Sequence, residues 1–217
     1  MKKTVKMKRK AEKIILSSVL AGTLAAGIAL QEASAEEFTG TQLKKIGVFL
    51  SNFTECSFTS ISRGNFIDHP GEMVKFAMCH NWINTKRYRL TQKCGKESSK
   101  YNNFVQLDPK YVAETVKKYL DYDFREHQGY GDYITYDGHI YCMPAASGEQ
   151  TPHVKAVSAQ MMDDGTIQVR GSSYYPDAET YADDNINVKA VIRPYVWNGN
   201  STWSLVKLEM EEKPFPH

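Results

Sequence analysis

Residues 186–210 read INVKAVIRPYVWNGNSTWSLVKLEM, and this stretch decides the fold of the chain. Apolar and polar side chains recur with a period near two on both sides of Asn198-Gly199, as expected for half-buried β-strands. Asn-Gly favours a two-residue type I′ turn, because both of its positions need a positive φ angle. The stretch therefore predicts a β-hairpin whose strands are residues 186–197 and 202–210.

Two further hairpins are predicted upstream of this one. Residues 153–162 and 166–175 are joined through Asp163-Asp164-Gly165, and residues 130–143 fold back at Asp137-Gly138. Six strands in succession, each pair joined by a short turn, predict an antiparallel meander.

The turn at Asp137-Gly138 sets the register that we expect for its hairpin. A two-residue type I′ turn pairs Tyr136 with His139 and Ile134 with Tyr141 on one face of the sheet. This register places several tyrosines close together around the turn.

Before residue 129, apolar residues recur every three or four positions, which predicts three helices. The first is capped by Thr39 or Thr41, the second begins near Asp68-His69-Pro70, and the third begins at Asp108-Pro109. In the order of the three helices, we expect these side chains to be buried: Leu43, Ile46, Leu50 and Phe53; Met73, Phe76, Ala77, His80 and Ile83; Val112, Thr115, Val116, Tyr119 and Leu120.

Together these elements predict an α+β fold, with three N-terminal helices packed on one face of a roughly six-stranded antiparallel meander. Helices on a curved antiparallel sheet can enclose a cone-shaped pocket, as in nuclear-transport-factor-like and cystatin-like folds, which host enzymes and binding proteins alike. We expect one domain over residues 36–210 and a frayed tail over residues 211–217.

Residues 1–35 have the layout of a secretory signal peptide. A basic segment, residues 1–13, precedes an uncharged, mostly apolar stretch, residues 14–30, and Ala33-Ser34-Ala35 supplies the small side chains that signal peptidase requires. A retained membrane anchor is the alternative, but the stretch is rich in Ala, Gly, Ser and Thr and is only weakly hydrophobic. We expect a mature protein that begins at Glu36, has no membrane anchor, and is secreted or periplasmic.

The charge balance argues against a nucleic-acid binder. The chain has 217 residues and a formal net charge of +2, but residues 1–35 hold seven of its cations and two of its anions. The remaining 20 cations and 23 anions give a net charge of −3, which offers no bulk attraction for a nucleic acid. At 41% hydrophobic and 12% aromatic, the chain has the composition of a globular domain.

Cys56, Cys79, Cys94 and Cys142 all lie in the part that we expect to be exported. An even number of cysteines outside the cytoplasm predicts disulfides, and four cysteines allow three connectivities. The absence of a C-x-x-C motif argues against a zinc ribbon and against a thioredoxin-type redox pair. A free catalytic thiol is the alternative.

Five short motifs stand out along the chain: IGVFLSNF at residues 46–53, FAMCHNWIN at 76–84, V-x3-VKKY at 112–119, MPAASGE at 143–149 and DGT-x2-V at 164–169. As a set they resemble an uncharacterised family of exported proteins and lipoproteins of anaerobic bacteria. The resemblance covers most of residues 41–210 and implies an exported protein with one fold. It implies no activity, because the family has none established, and the chain lacks the acylated cysteine of the lipoprotein members.

His80 and His139 are the candidate catalytic residues. His80 lies on the apolar side of the second predicted helix, where it is either a general base or a half-buried histidine bonded to neighbouring groups. No acidic residue stands three or four positions away to orient it. A Cys–His dyad would need a distant histidine such as His139, because Cys79 and His80 point about 100° apart on a helix.

The sequence predicts no metal and no other cofactor. Its histidines form neither an H-x-x-x-H nor an H-E-x-x-H motif, and the carboxylates of residues 121–126 fail the EF-hand pattern at Arg125 and Glu126. The carboxylates of residues 177–184 could hold Ca²⁺ weakly, although solvated loop acids are the more common explanation.

Trp82, Asn84, Tyr136 and Tyr141 are the candidate ligand-binding residues. Tyrosine and tryptophan offer flat amphipathic surfaces to sugars, peptides and proteins, and ordinary cross-strand pairing is the alternative. The basic stretch over residues 86–100 could meet an anionic envelope polymer, or it could keep a loop or sheet edge solvated.

Two functional hypotheses follow. The first is an exported, non-catalytic module that binds a small ligand, a glycan, a peptide or an envelope protein through its aromatic sheet region. The second is a hydrolase or transferase in which His80 or His139 works beside a carboxylate or a free cysteine. The chain contains no G-x-S-x-G motif, so we favour the first hypothesis.

Overall fold

Helices come first along the chain and most of the strands follow them, as the sequence predicts. The computed structural model describes residues 38–94, 103–145, 151–176 and 186–212. All of these belong to one compact unit, Ala35–His217. The predicted signal peptide, the acidic residues 177–184 and the tail beyond residue 212 lie outside the described residues.

The described elements, in chain order, are α1 (Gly40–Thr54), β1 (Ser60–Ser62), α2 (Arg63–Asp68), α3 (Pro70–His80), a π-helical turn (Asn81–Thr85), β2 (Arg89–Thr91), β3 (Phe104–Leu107), α4 (Pro109–Leu120), β4 (Thr135–Tyr136), β5 (Tyr141–Pro144), β6 (His153–Met161), β7 (Ile167–Tyr174), β8 (Ile186–Trp197) and β9 (Asn200–Glu212).

The helix starts follow from local capping chemistry. The Thr39 side chain accepts the Gln42 backbone N–H, and the Gln42 side chain accepts the Thr39 backbone N–H, which forms a capping box on α1. Asp108 caps α4 ahead of its first-turn proline, and α3 begins at Pro70. The three predicted helices are therefore confirmed, and the short helix α2 is an addition to them.

The larger sheet has five antiparallel strands in the order β1-β9-β8-β7-β6. Its β8–β9 hairpin turns at Asn198 and Gly199, both at positive φ, and β6 pairs with β7 across Gly165, also at positive φ. These two predicted hairpins are confirmed.

A second antiparallel sheet, in the order β2-β3-β5-β4, corrects the prediction of a single six-stranded meander. The predicted hairpin at Asp137-Gly138 pairs with β3 instead of with β6. Phe104, Val105 and Leu107 of β3 are buried, so their backbone hydrogen-bonding groups need a strand neighbour. The basic stretch of residues 86–100 contributes β2, which is an edge strand of this sheet. This agrees with the interpretation that the stretch lies at a loop or a sheet edge.

The register of the β4–β5 hairpin also differs from the prediction. Tyr136 lies opposite Tyr141, and not opposite His139, so four residues form the connection. The Asp137 carboxylate causes this, because it accepts the backbone N–H groups of both His139 and Ile140 at 2.8 Å.

Helices and both sheets share one hydrophobic core, which contains Phe53 and Phe76 from the helices, Val169 and Leu205 from the larger sheet, and Tyr141 from the smaller one. The side chains predicted to be buried on α4 are all buried. On the first two predicted helices the exceptions are Leu43, which is half-buried, and Ile83, which is 43% exposed. Ile83 turns outward because it lies in the π-helical turn, whose spacing breaks the three-to-four-residue repeat.

All four cysteines lie within described residues and form two pairs at disulfide distance. Cys56 pairs with Cys79 at a Cα–Cα distance of 5.7 Å, and Cys94 pairs with Cys142 at 6.1 Å. The first pair joins the C-terminal ends of α1 and α3, and the second fixes β5. No cysteine is left as a free nucleophile.

Candidate functional site

Helix α1 lies against the edge strand β6 and runs antiparallel to it. The Ser51 hydroxyl accepts the Val154 backbone N–H at 2.9 Å, and Thr54 donates to the carbonyl of Pro152. One turn earlier, a Cβ on Gly47 would lie 2.6 Å from the Val154 carbonyl oxygen, so only glycine allows this approach. The edge of the larger sheet is therefore closed by a helix instead of by another strand.

A groove of about 780 Å³ runs along this contact between α1 and β6. Its lining is mostly apolar, and Val48 in its wall is 62% exposed, which shows that the groove reaches solvent. Its volume is in the range of binding sites for small molecules and short peptides. The residues that line it are Gly40, Leu43, Lys44, Gly47, Val48, Ser51, Glu55, His153, Val154, Lys155, Ala156, Ser172 and Tyr174.

Glu55 places a carboxylate at one end of the groove. Its side chain is 12% exposed, and Oε1 lies 3.5 Å from Nε2 of His153. Oε2 accepts a hydrogen bond of 2.9 Å from the Asn84 amide. A mostly buried carboxylate is costly unless a cation or several donors compensate it, and these two contacts give Glu55 limited compensation.

The position of Glu55 at the end of α1 adds to this cost. Glu55 is the C-cap residue of the helix, where the partial charge of the helix dipole is negative, and the last turn contains no basic residue. Local electrostatics therefore disfavours a carboxylate here. Violations of local rules of this kind are typical of functional sites.

The groove is electrically asymmetric. Lys44 lies eleven residues before Glu55 on α1, which is about 16 Å along the helix axis. Lys155 lies two residues after His153 on β6 and lines the same groove. Glu55 therefore marks one end of the groove and Lys44 the other, and Lys155 lies between them at the level of Gly47.

His80, the first candidate catalytic residue, is buried among aromatic rings. It stacks on Phe76 and meets the edge of Tyr119, with ring centroids 5.9 and 4.7 Å away. Burial, followed by the charges of Lys118 and Arg87, lowers the pKa of His80 to about 4. Its Nδ1 lies 3.3 Å from the Asn84 amide nitrogen, so an amide, and not a carboxylate, is its direct polar neighbour.

The other candidates occupy different places. His139 is exposed at the tip of the β4–β5 hairpin, on the smaller sheet. Trp82 packs on Tyr88 with ring centroids 4.6 Å apart. Asn84 bridges Glu55 and His80, which brings one candidate to the margin of the groove. The structure therefore does not bring His80, His139 and Trp82 together in one site.

The aromatic hairpin is occupied by its own contacts. Tyr141 is fully buried, its hydroxyl lies 2.9 Å from Nδ1 of His127, and Tyr136 stacks on its ring at 4.6 Å. Burial raises the pKa of Tyr141. The ring of Tyr141 therefore takes part in the cross-strand pairing offered as the alternative, and its contact with a ligand stays a prediction.

Two features are absent from the described residues. No three side chains of His, Cys, Asp or Glu in these residues converge as metal ligands. No helix in the described ranges is long and apolar enough to cross a membrane.

Sequence reasoning missed the two residues that meet at the groove, Glu55 and His153. Glu55 has a weak local signal, since it follows the last turn of a predicted helix, where a negative charge is unfavourable. His153 opens a predicted strand but has no local signal, because its partner comes from the other half of the chain.

Comparisons with protein-family models, with curated proteins and with solved structures find no match for this chain. The resemblance to exported proteins and lipoproteins therefore stays a prediction, and the site has to be interpreted from its own geometry.

Proposed function

We propose that this protein is an exported, non-catalytic binding module, and that its ligand is a short extended peptide with a cationic group, held in the α1–β6 groove. Two features support export: the signal-peptide layout of residues 1–35 and the two cysteine pairs at disulfide distance. The observation that carries the proposed binding function is the Glu55 carboxylate at the end of an apolar groove.

The charge of Glu55 defines one end of the ligand. An ammonium or guanidinium group in contact with Glu55 would supply the positive charge that this helix end lacks. The binding energy would then come partly from relieving an unfavourable charge in the free protein.

The length and polarity of the groove define the rest of the ligand. About 16 Å between the levels of Glu55 and Lys44 corresponds to about five residues of extended chain. A terminal carboxylate suits the end at Lys44, and small apolar side chains suit the floor near Val154 and Ala156. A peptide has these three features along one line.

A hydrolase that uses His80 as its base is less well supported. A histidine with a pKa of about 4 is neutral at pH 7, but it is a weak base there, since general bases work best with a pKa near the operating pH. In addition, every cysteine is paired, which leaves no thiol for His139 to activate.

Calorimetric titration with a matched pair of peptides tests the proposal. The first is the pentapeptide RAVAV, acetylated at its N-terminus, so that the guanidinium is its cation. The second replaces arginine with citrulline, which keeps the shape and removes the charge. We expect the arginine peptide to bind with a micromolar dissociation constant and the citrulline peptide to bind at least tenfold more weakly.

Matched variants of the protein locate the effect. Glu55→Gln should remove the preference for arginine over citrulline, whereas Glu211→Gln, at an exposed carboxylate paired with Lys189 on the larger sheet, should keep it. The proposal is wrong if neither peptide binds more tightly than about 1 mM, or if Glu55→Gln binds both as wild type does.

A further inference from the structure

A second, smaller cavity is lined by His80, whose Nδ1 lies 3.3 Å from the Asn84 amide nitrogen. It has a volume of about 120 Å³ and a mostly polar lining. Four parts of the fold supply its walls: His80 at the end of α3, the stretch from the π-helical turn to Arg87, Lys118 on α4, and Asn198 in the β8–β9 turn. Side chains distant in the sequence therefore converge on a space that accommodates one small polar group.

The cavity carries an excess of positive charge. Arg87 and Lys118 are its cations, and Glu114 is its anion. Glu114 is already engaged, since its Oε2 accepts a hydrogen bond of 2.9 Å from Nη1 of Arg87. His80 is neutral at pH 7, because its pKa is about 4. One positive charge is therefore left without an anionic partner.

That charge belongs to Lys118. Within the described residues Lys118 forms no ion pair, and its ammonium lies over the Tyr119 ring, 3.3 Å from the phenol oxygen. Its side chain is half-buried, and burial, followed by the charge of Arg87, lowers its pKa. Two cations beside one cavity repel each other, and an anion between them would remove that cost.

The donors around the cavity suit an oxyanion. The Arg87 guanidinium keeps further N–H groups besides the one that Glu114 accepts, and Lys118 brings an ammonium with three donors. Asn198 also lines the cavity. Guanidinium and ammonium groups are the usual partners of phosphate and sulfate oxygens.

We propose that this cavity is a binding site for a single tetrahedral oxyanion, phosphate or sulfate, held between Lys118 and Arg87. The volume admits one such group, either as the free ion or as the terminal group of a small ester. This site is independent of the peptide groove, because its cations and its cavity are different ones.

Isothermal titration with inorganic phosphate and with glycerol 3-phosphate, at constant ionic strength in chloride, tests this site. We expect at least one of the two to bind with a dissociation constant of about 1 mM or below. If both bind, the site accepts esters, and if inorganic phosphate alone binds, it takes the free ion. Both results support the site only if they depend on Lys118.

Three variants establish that dependence. Lys118→Met keeps most of the length of the side chain over Tyr119 and removes its charge, and we expect affinity to fall at least tenfold. Arg87→Gln should weaken binding in the same way, and its exposed side chain makes loss of folding a poor explanation. The control Lys189→Met, at an exposed lysine on β8, should bind as wild type does.

Two results would overturn the inference. One is no heat of binding for either phosphate compound with wild-type protein. The other is equal affinity in wild type, Lys118→Met and Arg87→Gln, which would mean that the ion binds elsewhere. Neither result would affect the peptide groove, whose own test uses a different ligand and a different variant.

Discussion

The β4–β5 hairpin and the α1–β6 groove each bring a histidine next to a polar side chain, but the two regions differ in what remains uncompensated. At the hairpin, the Tyr141 hydroxyl lies 2.9 Å from Nδ1 of His127, which precedes β4 in the chain, and the rings of Tyr136 and Tyr141 stack on one another. In the groove, the Glu55 carboxylate lies 3.5 Å from His153 and accepts one hydrogen bond from Asn84, at a helix end whose last turn contains no basic residue. The density of aromatic residues therefore marks a packed element, whereas a carboxylate at an unfavourable helix end beside an apolar groove marks the site that we propose for the peptide.

Removal of each disulfide in turn should give the largest stability effects, and these effects should differ between the two regions. Cys94→Ala with Cys142→Ala opens the longer loop, 48 residues in sequence separation, and should lower the free energy of unfolding by about 4 kcal/mol. Cys56→Ala with Cys79→Ala opens a separation of 23 residues and should cost about 3 kcal/mol. Urea denaturation measures both.

The affinity of the two double variants for the arginine peptide sharpens this comparison. Cys56 follows Glu55 directly, so loss of its disulfide should weaken peptide binding, whereas loss of the pair at Cys142 should not. If peptide affinity fell only in the variant that lacks the Cys94–Cys142 pair, the hairpin would be the binding region.

Acidification should destabilise the helical region through His80. Its pKa of about 4 in the folded protein lies below the ordinary 6.5, so the unfolded state binds more protons between these two pH values. Stability contributed by His80 is therefore present above pH 6.5 and is lost as the pH falls to about 4, by about 3 kcal/mol.

The variant His80→Gln isolates this contribution. Its free energy of unfolding, measured by urea denaturation from pH 7 to pH 4, should fall less than that of wild type by about 3 kcal/mol. An identical fall in both proteins would mean that His80 is not buried as a neutral side chain.

The sequence predicts those parts of the fold that local chemistry determines. Capping at Thr39 and Asp108, and the turns at Gly165 and Asn198-Gly199, specify helix starts and hairpins within a few residues. Long-range pairing has no such signal. The four-residue strand β3 shows no useful periodicity, and the choice of β5 as its partner depends on the tertiary core.

The difference between local signals and long-range packing also explains which site residues could be predicted. Asn84 is a predicted ligand residue that does lie beside the groove, because its position one turn after His80 is a local property. Glu55 with His153, and Arg87 with Lys118, are brought together by packing between elements. A single sequence contains no direct record of that packing.

Because the aromatic side chains of the hairpin contact one another, we expect Tyr141→Phe to have a moderate effect on stability. This change removes the hydroxyl beside His127 and leaves the ring in place, so the free energy of unfolding should fall by about 1 kcal/mol. Tyr136→Phe, the control, removes a hydroxyl bonded to the exposed Gly138 carbonyl and should cost less. Neither variant should change peptide affinity. A tenfold loss of affinity in either variant would show that the hairpin takes part in binding the peptide.

The smallest stability effect should come from Glu55→Gln. Unlike the other variants, it should be more stable than wild type. Because a carboxylate at a helix C-terminus is unfavourable, the neutral side chain should raise the free energy of unfolding by about 0.5 kcal/mol in the absence of peptide. Thermal unfolding at low ionic strength measures this gain. A variant that is less stable than wild type would show that Glu55 serves the fold.

The most direct test of the central claim is an amide chemical-shift titration of ¹⁵N-labelled protein with the arginine pentapeptide. We expect the shifted signals to belong to residues 44–55 and 153–156, and those of residues 130–142 to stay in place. Shifts that cluster on residues 130–142, or that are the same with the citrulline peptide, would contradict the claim.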